Sequence, residues 1–339
     1  MKRLGNLYQN ICKIENIISA FDEVCKNTKN KRKVNNFKNY KCIYISRIYN
    51  TLINHTYVVS SYNIFTIYEP KKRRIVSQGI LDKTINHLVS RYILIPAIDS
   101  KLISTNVASR KKLGTKAGLE YFYNFNRICK IKYGTYYILK CDISKFFASI
   151  NIEILKSKIS RIIKDKDALD IVFKIIDSDK EGLSIGNMTS QVLAVFYLND
   201  LDHYIKEVLK IKYYVRYQDD FLLFHPSKEY LKFCLEQIKL FLKKEKLELN
   251  KKTRIYKSTN NFIFLGRNKY GQYAKYRTIK RKLKKKKELY KKNELSLNSL
   301  TSTIICYKSL CNKKWWLIKS HHKTSTKTYS LSHNINITY

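Results

Sequence analysis

The stretch that decides the fold reads Tyr213-Tyr-Val-Arg-Tyr-Gln-Asp219-Asp220-Phe-Leu-Leu-Phe224. Its β-branched and aromatic residues predict two short strands, joined by a turn at Gln218 and Asp219. Two adjacent carboxylates repel each other, and burying one without a partner is costly, so an ordinary core hairpin does not favour this pattern. A pair of divalent cations would compensate both charges. The alternative is an acidic hairpin turn that faces water, because Asp is a preferred turn residue.

The composition predicts a polyanionic partner. The 339 residues include 67 Lys and Arg against 26 Asp and Glu, a formal charge of +41 that cannot be neutralised within the chain. Nucleic acid is favoured because neutralising each phosphate releases a counterion, whereas no basic amphipathic segment dominates as a membrane-surface protein would require. No apolar run reaches the length of a membrane span, and the cysteine spacing matches neither a disulfide framework nor a common zinc site. We therefore expect a cytoplasmic protein with no membrane partner.

A further carboxylate ends the strand predicted from Tyr136 onward, which reads Tyr136-Tyr-Ile-Leu-Lys-Cys-Asp142-Ile-Ser-Lys-Phe-Phe147. The apolar run before Asp142 is typical of a buried strand, and functional groups are disproportionately found where such elements end. The alternative is that Asp142 caps a helix that begins at Ser144.

Two segments have the composition of phosphate-binding loops. Residues 62–77 alternate as strand, turn and strand, and the cations Lys71 to Arg74 lie at or just after the tip, where they suit a triphosphate. A solvated hairpin end is the equally simple alternative. The second segment, Glu181-Gly-Leu-Ser-Ile-Gly-Asn-Met-Thr-Ser-Gln191, opens a helix, and its glycines permit a close backbone approach to a ligand. It does not match a Walker motif.

The remaining segments predict helices and short strands around these motifs. Apolar periodicity indicates helices over 81–98 (ending near Pro96), 114–125, 192–209, 227–245 and 277–290, the last strongly basic. Strands are expected over 247–253 and 261–266. At the N-terminus we expect a helix, a Lys- and Asn-rich loop, and apolar residues from Tyr44 to Ile53.

In this order the segments resemble a reverse transcriptase. The resemblance covers roughly residues 60–270 and rests on the basic hairpin followed by Cys-Asp142-Ile-Ser-Lys-Phe-Phe147, Gly182-x-x-x-Gly-Asn-x-x-Ser-Gln191, Tyr217-Gln-Asp-Asp220, Leu249-Asn-Lys-Lys-Thr253 and Phe264-Leu-Gly266. It implies an RNA-directed DNA polymerase with an α+β fold and the right-hand architecture of fingers, antiparallel palm sheet and helical thumb. The implied domains are an N-terminal helical extension (1–60), fingers (61–135), a palm with an interleaved fingers segment (136–258), and a primer grip, basic helical thumb and tail (259–339).

The resemblance also implies nucleotidyl transfer with two Mg²⁺ ions, for which Mn²⁺ can substitute. Asp142, Asp219 and Asp220 are the implied catalytic carboxylates and metal ligands, and the Ile143 carbonyl adds an oxygen ligand. Lys252 matches a lysine proposed in the family to protonate the departing pyrophosphate.

Further positions match substrate-binding residues of the family. Those implied to bind the deoxynucleoside triphosphate are Lys72, Arg74, Phe147, Ile185 and Gln191, with Phe147 as the steric gate against a ribose 2′-hydroxyl. Those implied to form the primer grip are Phe264, Leu265 and Gly266. The implied partners are an RNA template, a DNA or RNA primer, deoxynucleoside triphosphates and a small accessory protein.

Within the family, Ile185-Gly-Asn-Met-Thr-Ser-Gln191 resembles the enzymes of diversity-generating retroelements, because group II intron and retron enzymes commonly have Gln-Gly-x-x-x-Ser-Pro there. Replacing that Gln by Ile removes hydrogen bonds, which implies lower fidelity. Ser184 and Gln218 depart from the usual pattern and leave a phage-defence or retron-like enzyme as the alternative. From another class, a nucleic-acid-binding protein with an inactive polymerase fold predicts salt-sensitive binding without nucleotide incorporation. A basic structural or membrane-surface protein would explain the charge but not the motif order.

Overall fold

The computed structural model describes residues 3–28, 30–60, 62–67, 73–178, 182–271 and 276–309. The chain divides into two compact units, one of Met1–Ile67 with Lys71–Gly271 and one of Tyr68–Pro70 with Gln272–Tyr339. Helices and antiparallel sheets occur together, which confirms the predicted α+β class. No helix in these residues combines the length and the apolar character that a membrane span requires.

The strands of the described residues form two antiparallel sheets. The strands are β1 (Asn63–Ile67), β2 (Arg73–Ser77), β3 (Tyr137–Asp142), β4 (Tyr213–Tyr217), β5 (Asp220–His225) and β6 (Arg254–Lys257). β1 and β2 form a hairpin, as predicted, and the remaining four pair in the order β4-β5-β3-β6. The first sequence stretch quoted above is therefore the β4–β5 hairpin, and β3 lies directly beside it.

The larger unit also contains many α-helices. In chain order they are α1 (Tyr8–Cys12), α2 (Ile14–Asn27), α3 (Lys31–Asn39), α4 (Lys41–Ile53), α5 (Ile80–Val89), α6 (Ile95–Ile98), α7 (Thr115–Tyr133), α8 (Phe146–Ser149), α9 (Ile152–Ser160), α10 (Lys166–Asp177), α11 (Met188–Tyr197), α12 (Asn199–His203) and α13 (Lys228–Lys244). The smaller unit contains α14 (Tyr276–Lys291) and α15 (Leu297–Ser309). The predicted basic helix is therefore present as α14.

Alternating side chains of the sheet belong to two hydrophobic clusters, one on each face. Leu139 and Cys141 of β3 join a cluster that includes α13, whereas Ile138 joins Phe122 and Phe125 of α7. Because residues two apart share a face, Asp142 lies on the same face as Ile138, which is the side that α7 covers. The apolar runs predicted as buried strands are buried because helices cover both faces.

The helix predicted over 81–98 is confirmed as α5, a π-helical turn at Ser90–Leu94 and α6, and it ends at Ile98, near Pro96. Pro96 lies in the first turn of α6, where a missing N–H costs little. Other predicted boundaries were wrong. The helix predicted over 114–125 extends to Tyr133, and the Lys- and Asn-rich segment contains α3.

Neither predicted strand after α13 is present as such. Over 247–253 only Leu249 makes a strand-like bridge, to Ile143, and the regular strand is β6. The segment 261–266 forms a tight turn because Leu265 and Gly266 have positive φ angles of 48° and 81°, which an extended strand cannot accommodate. Both segments nevertheless stay beside β3, as described below.

Candidate active site

Strand register brings two of the predicted carboxylates together. Asp142 at the end of β3 lies directly opposite Asp220 at the start of β5. Directly opposed residues of an antiparallel pair project from the same face, with Cβ atoms about 5 Å apart. Asp219 precedes Asp220 in the turn of the same hairpin. The three carboxylates predicted from the sequence are thus close together at one end of the sheet. We call them the acidic cluster, and the turn at Gln218 and Asp219 the acidic turn.

The turn that carries Asp219 has an unusual backbone. Gln218 has a φ of 55°, in the left-handed region that non-glycine residues seldom adopt. Its side-chain Nε2 donates to the Ser109 hydroxyl at 2.9 Å, and its carbonyl accepts from Arg216 Nη1, also at 2.9 Å. Residues held in such conformations require support from their surroundings, and they cluster at functional sites.

Asp220 forms an ion pair with Lys140, which was not predicted as a site residue. Burial raises the pKa of Asp220 to about 6; Lys140 opposes this rise, and the neighbouring Asp142 and Asp219 add to it. The Lys140 ammonium also lies 5.5 Å from the centre of the Phe264 ring. The sequence does contain a signal for Lys140. It is the only lysine in an apolar strand, and it lies two positions before Asp142, so both side chains are expected on the same face of the sheet.

The carboxylates fit a divalent cation in their chemistry. No three His, Cys, Asp or Glu side chains of the described residues converge tightly enough to hold a metal as they stand. Asp220 is instead paired with Lys140, yet it also feels the repulsion of two neighbouring carboxylates. Hard oxygen ligands with excess negative charge are the groups that Mg²⁺ binds. A bound cation would remove this repulsion between the carboxylates.

The glycine-rich segment contacts both α8 and the β2 strand of the β1–β2 hairpin. Leu183 N–H donates to the Phe147 carbonyl at 2.9 Å, and a Cβ on Gly182 would lie 2.5 Å from the same oxygen. On the other side, Val76 N–H of β2 donates to the Ile185 carbonyl at 3.1 Å. The segment, which carries Ile185, therefore connects Phe147 to β2. Phe147 and Ile185 are both predicted to contact the nucleotide.

The other predicted nucleotide-binding residues lie on neighbouring elements. Arg74 is exposed on β2, and Gln191 is exposed in the first turn of α11. The Gln191 carbonyl lies 3.5 Å from Gln218 Nε2, so α11 begins beside the acidic turn. Lys72 lies outside the described residues.

The segments after α13 return to the end of β3. Asn250 N–H donates to the Asp142 carbonyl at 2.7 Å, and the Asn250 side chain accepts from Lys252 N–H at 3.1 Å. Lys252 is exposed in this turn, which is attached to the backbone of Asp142. The bridge between Leu249 and Ile143 holds the same connection, and Ile143 itself is buried.

The predicted primer grip packs on α7. Phe264 is buried with its ring centre 5.6 Å from that of Phe122. Leu265 lies so close to Gly118 that a Cβ there would be 2.7 Å from its Cδ1 atom. Through Lys140, which lies between Phe264 and Asp220, this turn is connected to the acidic cluster.

Comparison with known families identifies the fold. The family model described as "Reverse transcriptase (RNA-dependent DNA polymerase)" matches residues 24–268, which include the hairpin, every motif and the acidic cluster. The chain belongs to the reverse transcriptase family. The match confirms the resemblance drawn from the sequence, and it assigns the four-stranded sheet to a reverse transcriptase domain.

Some solved structures are similar at low identity. A telomerase from Candida tropicalis truncated from its C-terminal domain is 16% identical with a TM-score of 0.48, over 65% of this chain and 56% of that one. A Candida albicans telomerase in complex with a fragment of telomeric RNA is 15% identical with a TM-score of 0.46, over 73% and 52%. This chain thus spans about half the length of these telomerase chains. Comparison with curated protein sequences gave no match.

Proposed function

We propose that this protein is an RNA-directed DNA polymerase that copies an RNA template into complementary DNA. The observation that carries the proposal is the register that places Asp142 opposite Asp220, with Asp219 in the intervening turn of the hairpin. Membership of the reverse transcriptase family supports it. The substrates would be an RNA template, a DNA or RNA primer and deoxynucleoside triphosphates, in the cytoplasm.

Asp142, Asp219 and Asp220 would hold two Mg²⁺ ions, with the Ile143 carbonyl as an additional ligand. When bound, the ions would supply Lewis acidity to the primer 3′-hydroxyl and compensate the charge of the leaving pyrophosphate. The clustered carboxylates support this role because burial raises the pKa of Asp220, and the charges of Asp142 and Asp219 add to that rise. Lys140 would keep Asp220 oriented through their ion pair.

The remaining residues would bind and position the substrates. Arg74 and Lys72 would contact the triphosphate from the β1–β2 hairpin, while Phe147 would exclude a ribose 2′-hydroxyl. Ile185 and Gln191 would line the nucleotide on its other side, and Lys252 would donate a proton to pyrophosphate. The turn formed by Phe264, Leu265 and Gly266 would support the primer. The contacts of residues 182–187 with Phe147 and with β2 support this grouping.

Primer extension tests this proposal directly. Purified protein is incubated with a primed RNA template, Mg²⁺ and deoxynucleoside triphosphates, and in parallel with the same primer on DNA. RNA-templated product supports the proposal. Salt-sensitive binding of both duplexes without any extension would instead support a nucleic-acid-binding protein with an inactive polymerase fold.

We further propose that the enzyme belongs to a diversity-generating retroelement and copies with low fidelity. Ile185 carries this proposal, since a side chain without hydrogen-bonding groups cannot hold the base pair as Gln would. Sequencing of the complementary DNA is expected to show errors concentrated opposite template adenines, and Ile185→Gln is expected to reduce them several-fold. Uniformly faithful copies from the unsubstituted enzyme would favour the phage-defence or retron-like alternative.

The pKa of Asp220 predicts a pH dependence of metal activation. With a pKa of about 6, Asp220 is ionised at pH 7 and mostly protonated at pH 5. Because Mg²⁺ must displace that proton at low pH, the half-saturating Mg²⁺ concentration is expected to be about tenfold higher at pH 5 than at pH 7. Single-nucleotide incorporation at a series of Mg²⁺ concentrations measures it.

Lys140→Met tests whether Asp220 is the group that causes this pH dependence. Lys140 lowers the pKa of Asp220. Its loss should therefore move the inflection in the plot of half-saturating Mg²⁺ concentration against pH to a value above pH 6. An inflection that stays in place in this variant would show that a different group governs metal activation.

A further inference from the structure

We propose that Arg216 is a positioning residue for polymerisation, which rests on the proposed function above: its guanidinium holds the Gln218–Asp219 turn in the conformation that presents Asp219. Arg216 alternates with Tyr217 along β4 and therefore points to the sheet face opposite the carboxylates. It is the only charged residue within β4, and its side chain is fully buried.

The guanidinium is fixed on one side by a carboxylate. Nε and Nη2 of Arg216 donate to the two oxygens of Asp202 at 2.7 Å and 2.6 Å, a bidentate pair in which both side chains are 0% exposed. Asp202 also accepts from the Tyr214 hydroxyl at 2.6 Å and from Asn106 Nδ2 at 3.0 Å. This planar geometry leaves Arg216 little freedom to rotate.

The remaining donors of the guanidinium reach two backbone carbonyls. Nη2 also donates to the Val195 carbonyl at 2.9 Å, and Nη1 donates to the Gln218 carbonyl at 2.9 Å. That second carbonyl belongs to the peptide bond that joins Gln218 to Asp219. Arg216 therefore holds α11, α12 and the acidic turn through one rigid group.

The turn requires such support because Gln218 has a positive φ of 55°. The backbone of Arg216 is held as well, since its N–H donates to the Thr105 carbonyl and its carbonyl accepts from Val107 N–H, each at 3.1 Å. A strained turn persists where its surroundings over-determine it. Loss of the Arg216–Gln218 hydrogen bond is expected to let the turn relax and to displace Asp219.

Arg216→Lys tests this inference because it keeps the charge opposite Asp202 but loses the fork. One ammonium cannot occupy the positions of both Nε and Nη1, so the bond to the Gln218 carbonyl is lost. We expect kcat for nucleotide incorporation to fall about 10- to 100-fold, while the KM for nucleotide and the Kd for primer–template stay within about twofold. Arg161→Lys, at an exposed arginine, is the matched control and should leave all three values unchanged.

Asp202→Asn separates positioning from stability. It weakens the buried pair but leaves Nη1 free to donate to the Gln218 carbonyl, so its unfolding midpoint should fall more than that of Arg216→Lys, and its kcat per folded molecule should fall less. Parallel losses of kcat and of folded protein in both variants would overturn the inference and make Arg216 a purely structural residue.

A readout independent of activity distinguishes failure of this inference from failure of the proposed function. Tb³⁺ luminescence, sensitised by Tyr217 beside the acidic turn, reports cation binding, and Asp219→Asn establishes the signal of the site. We expect Arg216→Lys to bind Tb³⁺ about tenfold more weakly than the unsubstituted protein. Equal affinity would overturn the positioning role, whereas an unsubstituted protein that binds Tb³⁺ but extends no primer would contradict only the polymerase proposal.

Discussion

Asp219→Asn is expected to abolish measurable RNA-templated extension, a loss of about a thousandfold or more in kcat. The substitution keeps the size of the side chain and removes the charge on the turn between β4 and β5. A thousandfold loss corresponds to about 4 kcal/mol of transition-state stabilisation, which the loss of a charged metal ligand at the proposed site would account for. Binding of primer–template should persist, because one charge is small against a net charge of +41.

The matched control for this loss is Asp170→Asn, at an exposed position of α10. Asp170 makes only a surface ion pair with Lys174 four residues along the helix, a contact worth less than about 1 kcal/mol. Extension by this variant should equal that of the unsubstituted protein. Extension by Asp219→Asn at the same rate would disprove the proposed site, and the two variants together separate this outcome from a general effect of changing carboxylates.

Gly182→Ala is expected to reduce extension about a hundredfold and to destabilise the fold by roughly 1–3 kcal/mol. Its Cβ would lie 2.5 Å from the Phe147 carbonyl oxygen and 2.8 Å from that of Ala148. Both contacts are with backbone, so the segment that carries Phe147 must shift, and the hydrogen bond from Leu183 must lengthen. Single-nucleotide incorporation and urea denaturation measure the two effects.

Gly134→Ala isolates the steric part of this effect. Gly134 has a φ of 63°, close to the 65° of Gly182, but a Cβ there would meet nothing within 4 Å. Both variants place Ala at a positive φ, which costs stability at either position. We expect Gly134→Ala to lose only that stability and to keep its activity. Equal activity losses in both variants would show that backbone strain, rather than contact with the Phe147 segment, is responsible.

Much of the acidic centre is predictable from the sequence because strand alternation is local. The apolar runs before Asp142 and around Asp219 specify strands, and their order along the chain matches the family model. The register that sets Asp142 opposite Asp220 is a property of strand pairing, which no single segment contains. The family resemblance supplied what local pattern could not, namely that these segments belong to one site.

The contacts of Lys140 and Arg216 were not predictable in the same way. Each is a lone cation in an apolar strand, a pattern that marks an unusual residue but does not name its partner. Lys140 of β3 pairs with Asp220 of the neighbouring strand β5, and Arg216 of β4 pairs with Asp202 of α12. Similarly, the segment 261–266 has the apolar composition of a strand, but packing of Phe264 against α7 stabilises a tight turn there instead.

The hydrogen bond from Val76 to the Ile185 carbonyl has a mechanical consequence. Gly186 follows with its Cα so near the Val76 carbonyl that a Cβ there would lie 2.6 Å from that oxygen, so β2 and this loop are in contact over two successive residues. If the hairpin swings to admit and then enclose a nucleotide, the loop must travel with it. Because Arg74 of β2 and Ile185 are proposed to contact the triphosphate and the base, triphosphate binding and base selection would then depend on the same movement. A substitution that alters this movement is expected to change the rate of incorporation and the fidelity together.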